Sequence, residues 1–458
     1  MKEIKGFESI KESFRTRQVK YGGYATLLTL ALVIGLILVN LIMGSFPLQL
    51  DMTEGKLFSL SGQTIQVLEQ IKSPVNIYGL WAAGQENVDV TEILDLYMAR
   101  NRNIRYQAVD PDRNPGLLSK FDPDEQGIGP GSVIVEGAKG FRVISPYELY
   151  DINSVYNQLS ITGIAVEHRL TSALIYVETG ITPVIYEVVG HGENLLASLY
   201  IADMVERENY SLKQLNLIQS NIPADASALI INSPKTGISR PEADKILDYL
   251  EQGGRLLVLA DYRTEDLSML NEILSSYGIG LDYGIVIENH TSYSLGNVYL
   301  GISDMKNHDI VKPLHDKQTP VIMPFAMGVS ETGIKRRTVE IIPLLASSGN
   351  SWLSSDIEAP PSYMLPSDKG GPITTAVAIV DTQFIQGDEK QARIVVIGSG
   401  AILHSITNFG QIPANLDFFM NSLTWLEDRP EALGVRSKSI FLMPLMMSGL
   451  KIGIFAGI

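Results

Sequence analysis

Twenty consecutive residues, Tyr24 to Met43 (YATLLTLALVIGLILVNLIM), carry no charge and only one strongly polar side chain, Asn40. At about 1.5 Å of rise per residue, a helix of that length matches a bilayer hydrocarbon core of roughly 30 Å. A cleaved signal peptide has a shorter apolar core, about 7–15 residues, and ends at small residues. The segment that follows here, Gly44-Ser45-Phe46-Pro47, is no such site. An uncleaved transmembrane anchor is therefore expected, in preference to a signal peptide or a buried soluble helix.

The flanks set an expected orientation. Lys2, Lys5, Lys11, Arg15, Arg17 and Lys20 precede the run, whereas Asp51, Glu54 and a single Lys56 follow it. Basic residues near the membrane stay cytoplasmic. Residues 1–23 then form a cytoplasmic arm, 24–43 the transmembrane helix, and the bulk of the chain lies outside. A second apolar stretch, 440–458, carries only Lys451 as a charge and runs to Ile458. It is expected to be a second transmembrane helix, seen whole or in part; lying along the membrane surface is the alternative.

Composition narrows the chemistry. The chain has 458 residues and no cysteine, so disulfides, thiolate metal sites and cysteine nucleophiles are excluded. A formal net charge of −15 speaks against nucleic acid as a partner and against broad contact with anionic lipid. The 45% apolar content is that of a folded globular protein. No G-x-x-x-x-G-K-[ST] loop and no G-x-G-x-x-G after a predicted strand occurs, and there is no internal repeat.

Beyond the anchor the order of elements is readable. Ser61 is a plausible cap for a helix through Ile65, Leu68 and Ile71, and Val75–Trp81 reads as a strand. A helix over Val90–Arg100, a strand over Ile104–Val109, a helix over Pro115–Phe121 and a hairpin of Ser132–Glu136 with Phe141–Ile144 follow. This is the order of a thioredoxin-like domain, placed at 50–160. Trp81-Ala82-Ala83-Gly84 stands where the redox motif would be, so the domain is expected to bind or pack rather than transfer electrons.

A helical connector near Ile164–Tyr176 leads into a second domain, placed at 161–430. Strands are predicted at Pro183–Val189, Leu212–Asn216, Ala228–Asn232 and Arg255–Ala260, with helices at Leu195–Asn209, Ser239–Glu251 and Leu267–Tyr277. Ser239, Pro241 and Glu242 form a capping signature. Continuous apolar strands alternating with helices indicate an α/β ectodomain with a parallel sheet covered on both faces. Between Gly284 and Asp381 the pattern blurs into hairpins. It resumes with a strand at Arg393–Ile397 and a helix near Leu416–Leu426.

The strongest candidate site is Gly190-His191-Gly192-Glu193, at the C-terminal end of a predicted parallel strand, where open α/β sheets bind ligands. His191 and Glu193 could serve as base and orienter or as metal ligands, with Asp261 at a neighbouring strand end. The alternative is that the glycines make a tight turn and Glu193 sits near a helix N-terminus. The remaining histidines are scattered, and His308 and His315 are too far apart for a helical i, i+4 metal pair. Gly398-Ser399-Gly400 lacks the G-x-S-x-G frame of a nucleophile elbow.

Several stretches together resemble a known family: Leu50–Ser61 (LDMTEGKLFSLS), the Gly190–Glu193 turn, Ile230–Asp261 with Pro234 and Gly253-Gly254, His308-Asp309-Ile310, and the Asn415–Leu426 helix with Trp425. In order and spacing the chain looks like the GldG-like auxiliary subunits of ABC transporters, named after gliding-motility proteins. The resemblance implies an ABC-2-type permease and a separate cytoplasmic ATPase as partners. It also implies a second domain similar to the class I glutamine amidotransferase-like (flavodoxin-like) fold without its catalytic residues, and the missing cysteine agrees. The family usually ends in a full helix followed by basic residues, which this chain does not show.

The resulting expectation is a non-catalytic, membrane-anchored extracytoplasmic subunit that uses no cofactor and whose partners are the lipid bilayer, the permease, the ATPase and a cell-envelope ligand. Gly35 and Gly44 in the anchor would allow close helix approach, and Asn40 would bond across helices. Two rivals follow from the same residues: an extracytoplasmic hydrolase or metal enzyme built on His191, Glu193 and Asp261, and a structural protein of the cell envelope.

Overall fold

A computed structural model describes residues 17–45, 59–122, 127–155, 158–199, 201–357, 361–385, 387–404, 412–429 and 438–439. The chain divides into two compact units, Met1–Lys56 and Leu57–Ile458.

In the first unit the apolar run lies within one helix, Arg17–Ser45. Its side chains are described over 24–38, and nearly all of them are exposed. Among the described residues no helix is long and apolar enough to cross a membrane. The apolar stretch 440–458 lies outside the described residues.

The second unit opens with the predicted helix, Gly62–Gln70, capped by Ser61, whose hydroxyl oxygen accepts the Thr64 N–H at 3.1 Å. Four strands make the first sheet: β1 (Val75–Leu80), β2 (Ile104–Val109), β3 (Val133–Gly137) and β4 (Gly140–Ile144). Their order is β2-β1-β3-β4, with β1 parallel to β2 and antiparallel to β3. Helices Val88–Arg100 and Pro115–Phe121 fall where the sequence places them. The sheet's core joins Val75, Ile77, Val133 and Val135 to Val166, Leu170, Leu174 and Val177. The connector helix, Val166–Thr179, thus packs on the first sheet although the sequence assigns it to the second domain. Gly137 permits the approach, since a Cβ there would lie 2.8 Å from the Val177 side chain.

A hairpin the sequence does not announce precedes that helix: β5 (Tyr150–Val155) and β6 (Gln158–Ile164). The short strand Lys438–Ser439 pairs with β6 on its other side, giving a three-stranded sheet with β5 at one edge.

The second sheet has eight strands. β8 (Ser211–Leu215), β7 (Val184–Val188), β9 (Ala226–Asn232), β10 (Arg255–Leu259) and the strand Asp388–Ile397 lie side by side in that order, all parallel. Thr374–Ile385, Val339–Ala346 and Asp304–Met305 continue it in antiparallel fashion. The period of two sends alternate residues to opposite faces. Ala228, Ile230, Leu257, Leu259, Val395 and Ile397 meet Phe418, Phe419 and Leu423 of the helix Pro413–Leu426. Leu229, Ile231, Leu256, Val258, Ile394 and Val396 meet Ile246, Leu250, Ile273 and Leu274 of the helices Arg240–Glu251 and Ser268–Ser275. A parallel sheet covered on both faces is thus what the continuous apolar strands produce.

One helix is shorter than expected. Of the predicted Leu195–Asn209, only Ala202–Arg207 is helical, and Leu196–Leu199 forms turns. Leu196 is buried without belonging to a helix, because its N–H is taken by the Glu187 side chain at 2.8 Å.

Candidate functional site at the parallel strand ends

The chain runs from β7 to its neighbour β8 and then returns to β9 on the other side of β7. That reversal leaves a topological switch point at the C-terminal ends of β7 and β9, the place where open α/β sheets bind ligands. Gly190-His191-Gly192-Glu193 follows β7 there, and Ser233-Pro234-Lys235 follows β9. Gly190 (φ 129°) and Gly192 (φ 77°) adopt left-handed backbone that glycine takes without strain, which makes the tight turn possible.

The turn buries its charges. Glu193 Oε2 accepts the N–H groups of Gly190 and His191 at 3.0 and 2.8 Å, while Oε1 lies 2.9 Å from His191 Nδ1. On the other side, His191 Nε2 lies 3.2 Å from Glu242 Oε2. The three side chains are 5%, 3% and 2% exposed for His191, Glu193 and Glu242. Both ring nitrogens therefore face carboxylates. The His191 carbonyl accepts the N–H groups of Lys235 and Thr236 at 2.8 and 3.1 Å, tying the turn to the loop after β9.

Glu242 has two tasks. It completes the capping box of the helix Arg240–Glu251, accepting the Ser239 N–H at 3.0 Å and its hydroxyl, and it also receives the imidazole. Burial pushes its carboxyl up, but Ser239 and His191 outweigh burial and hold it below its ordinary range. Glu187, inside β7, moves the other way: burial raises its carboxyl, the Leu196 N–H opposes and the charge of Glu193 adds.

Asp261 ends at a separate place on the same edge. Its Oδ1 accepts the Arg263 N–H at 2.9 Å and lies 3.8 Å from Arg263 Nε. His404 stands near it: burial holds the imidazole below its ordinary range and the charge of Asp261 works against that. His404 Nε2 is 3.4 Å from Asn194 Nδ2. No hydrogen bond or ion pair joins Asp261 to His191 or Glu193 among the described residues. Nor does any cluster of three His, Cys, Asp or Glu side chains among them have the arrangement to hold a metal ion.

Between these places lies Ser233, a non-glycine residue at φ 52°, with Oγ donating to Asn232 Oδ1 at 3.2 Å. Gly400, after the last parallel strand, is pressed against it: a Cβ on Gly400 would sit 1.6 Å from Ser233 Oγ. The Gly398-Ser399-Gly400 turn is thus dictated by close approach, and Ser399 Oγ is spent on the Pro324 carbonyl. In sequence, Glu242 shows only its capping role, since its partner His191 is 51 positions away. Ser233 and His404 carry no local signal at all.

This arrangement is a covered α/β sheet whose strand-end turn is locked by buried contacts of His191 with two carboxylates. Residues 182–422 match the family model for an ABC-type uncharacterized transport system, more than half of the chain, and the chain belongs to that family of auxiliary transport components. Residues 54–150 match a domain model of unknown function. A search of curated proteins finds no match. Among solved structures the chain is similar to one described as mmIFT52 N-terminal domain, at 15% identity and a TM-score of 0.39, covering 53% of this chain and 97% of that one.

Proposed function

We propose that the chain is a non-catalytic, GldG-like auxiliary subunit that stands beside an ABC-2-type permease driven by a separate cytoplasmic ATPase. The family match over 182–422 carries this reading. The helix Arg17–Ser45 would anchor the chain, N-terminus inside and bulk outside, with the segment 440–458 as a second span. Support for the anchor comes from the uncharged run Tyr24–Met43 and its basic N-terminal flank. Gly35, beside which a Cβ would meet nothing within 4 Å, leaves room for another helix, and Gly44 and Asn40 would serve the same packing.

The first sheet, ordered β2-β1-β3-β4 with one parallel pair and a closing hairpin, supports the thioredoxin-like reading of that domain. The parallel order β8-β7-β9-β10 supports the flavodoxin-like, amidotransferase-like reading of the other. His191 favours a subunit over an enzyme. A general base or metal ligand needs a free ring nitrogen, and here carboxylates face both. His191, Glu193 and Glu242 then form a pseudo-active site that sets the shape of the sheet edge offered to an envelope ligand.

Depleting the chain from cells that keep permease and ATPase tests the reading. Transport or transporter assembly should fail, and His191→Asn chains that fold should restore it. Full transport without the chain would contradict the proposal.

A further inference from the structure

A cleft of about 240 Å³ opens where β4 and the connector helix Val166–Thr179 meet the helix Ala202–Arg207. All three elements belong to the folded unit Leu57–Ile458. Pockets for drug-sized ligands span about 300–1,000 Å³, so this one suits a smaller molecule. Three arginines line it, Arg142, Arg169 and Arg207, and so do three acids, Glu148, Asp203 and Glu206.

These six charges do not simply pair off. Arg207 Nε lies 3.2 Å from Glu148 Oε1, and Glu148 Oε2 accepts the Ser145 N–H at 2.7 Å, so that pair is closed. Arg169 is 11% exposed, with Nη1 3.0 Å from Glu208 Oε1, an oxygen that also lies 2.6 Å from His168 Nε2. Its Nε is buried without a hydrogen bond.

Arg142 is fixed from two sides. Its Nε donates to Asn209 Oδ1 at 3.1 Å, and its guanidinium carbon lies 4.2 Å from the centre of the Tyr176 ring. Asn209 is itself locked: buried, at φ 63°, its Nδ2 donates to the carbonyl and the hydroxyl of Ser172, each at 2.8 Å. A guanidinium held flat in this way keeps its two Nη groups as a fork for a carboxylate or phosphate. Among the described residues neither Nη group has a hydrogen-bond or ion-pair partner.

The opposite charge sits at the rim. Asp203 and Glu206 are exposed, three residues apart on one face of their helix, and neither carboxylate is paired among the described residues. A free anion entering the cleft would pass both carboxylates and be repelled, whereas a ligand that carries its own ammonium is attracted. Acids and arginines are equal in number in the lining, which fits a ligand of no net charge.

We infer that this cleft binds a small zwitterion, a free amino acid or dipeptide, with its carboxylate on the Arg142 fork and its ammonium at Asp203 and Glu206. The site lies wholly within the folded unit and requires no transporter partner, so it stands or falls apart from the auxiliary-subunit reading.

The test uses the purified full-length chain in mild detergent. Saturation-transfer NMR with the twenty standard amino acids and alanylalanine finds the best binder, which is then titrated beside inorganic phosphate. At least one of these zwitterions should bind, and more tightly than phosphate. Arg142→Gln should weaken that binder about tenfold, the ratio for one charge-assisted contact. Because Arg142 also braces Asn209, a second variant leaves the floor intact: Asp203→Asn with Glu206→Gln, both at exposed positions. It should keep the parent's unfolding midpoint, weaken the zwitterion severalfold and tighten phosphate. No signal from any zwitterion would overturn the inference. Phosphate binding as tight as the best zwitterion would overturn it in favour of a plain anion site. An affinity unchanged in the rim variant, or in a folded Arg142→Gln chain, would place the ligand elsewhere and overturn it as well.

Discussion

His191 Nε2 lies 3.2 Å from Glu242 Oε2, and this contact fastens the turn after β7 to the first turn of the helix Arg240–Glu251. With Glu193 on the opposite ring nitrogen, the imidazole is a buried bridge between two elements. Removing one partner from such a buried, hydrogen-bonded group leaves carboxylates buried without it, which is far more costly than never having buried them. His191→Ala should therefore lower stability by about 3–5 kcal/mol, read from denaturant unfolding of the purified chain. An unchanged midpoint with lost function would instead favour the enzyme reading.

Gly400 and Ser233 should behave as a coupled pair. Gly400→Ala drives a Cβ into Ser233 Oγ, and overpacking of this kind costs about 1–3 kcal/mol. Ser233→Gly removes the obstructing side chain and suits the φ of 52° at that position. The double variant should recover most of the loss, measured as the interaction term of a double-mutant cycle. Gly398→Ala is the contrast: its Cβ would meet the Met327 carbonyl oxygen at 2.4 Å, so no side-chain change can rescue it. Additive losses at 400 and 233 would refute the packing account.

His308 should make stability fall in acid. Its Nδ1 accepts the Ile310 N–H at 3.2 Å and its ring stands edge-on to Trp425 at 5.2 Å. Burial pushes its pKa down, with Asp309 and Glu340 opposing and Arg393 assisting. The unfolded chain thus binds the proton more readily, and stability rises with pH across this range. The contribution is whole above the unfolded value of about 6.5 and is lost as pH drops through the folded one. His308→Gln keeps an acceptor but does not titrate. Its unfolding free energy should change less than that of the parent between about pH 7.5 and about pH 5.5. Equal slopes would dismiss His308 as a contributor.

Asn40→Leu should weaken the complex without unfolding the chain. An interhelical hydrogen bond in a membrane is worth about 0.6–2 kcal/mol, a severalfold change in recovered permease. Unchanged recovery would leave Asn40 without a role in packing.

Local chemistry made much of the fold legible. Ser239, Pro241 and Glu242 announced a helix start that the structure repeats with both capping bonds in place. The apolar runs at Ala226–Asn232 and Arg255–Leu259 announced strands buried on two faces. The β5–β6 hairpin was not legible, because its paired Ile152 and Ile161 face outward and leave no core-facing alternation to read. The long antiparallel pair Thr374–Ile385 and Asp388–Ile397 was only half visible, since the second strand opens on the polar, exposed Asp388, Glu389 and Lys390. Leu195–Asn209 looked helical because Leu196, Ile201 and Val205 are buried, yet turn backbone buries the first of them. At the candidate site the glycine turn was readable and the Glu193–His191–Glu242 bridge was not, for it joins residues that only the parallel sheet brings together. Asp261 shares the sheet edge with them but bonds to Arg263 instead.

The most direct test is extraction of the tagged full-length chain from its native membrane in mild detergent, with identification and counting of what co-purifies. The account predicts an ABC-2-type permease and its ATPase in fixed stoichiometry with this chain. Recovery of the chain alone, under conditions in which other membrane complexes survive, would contradict it.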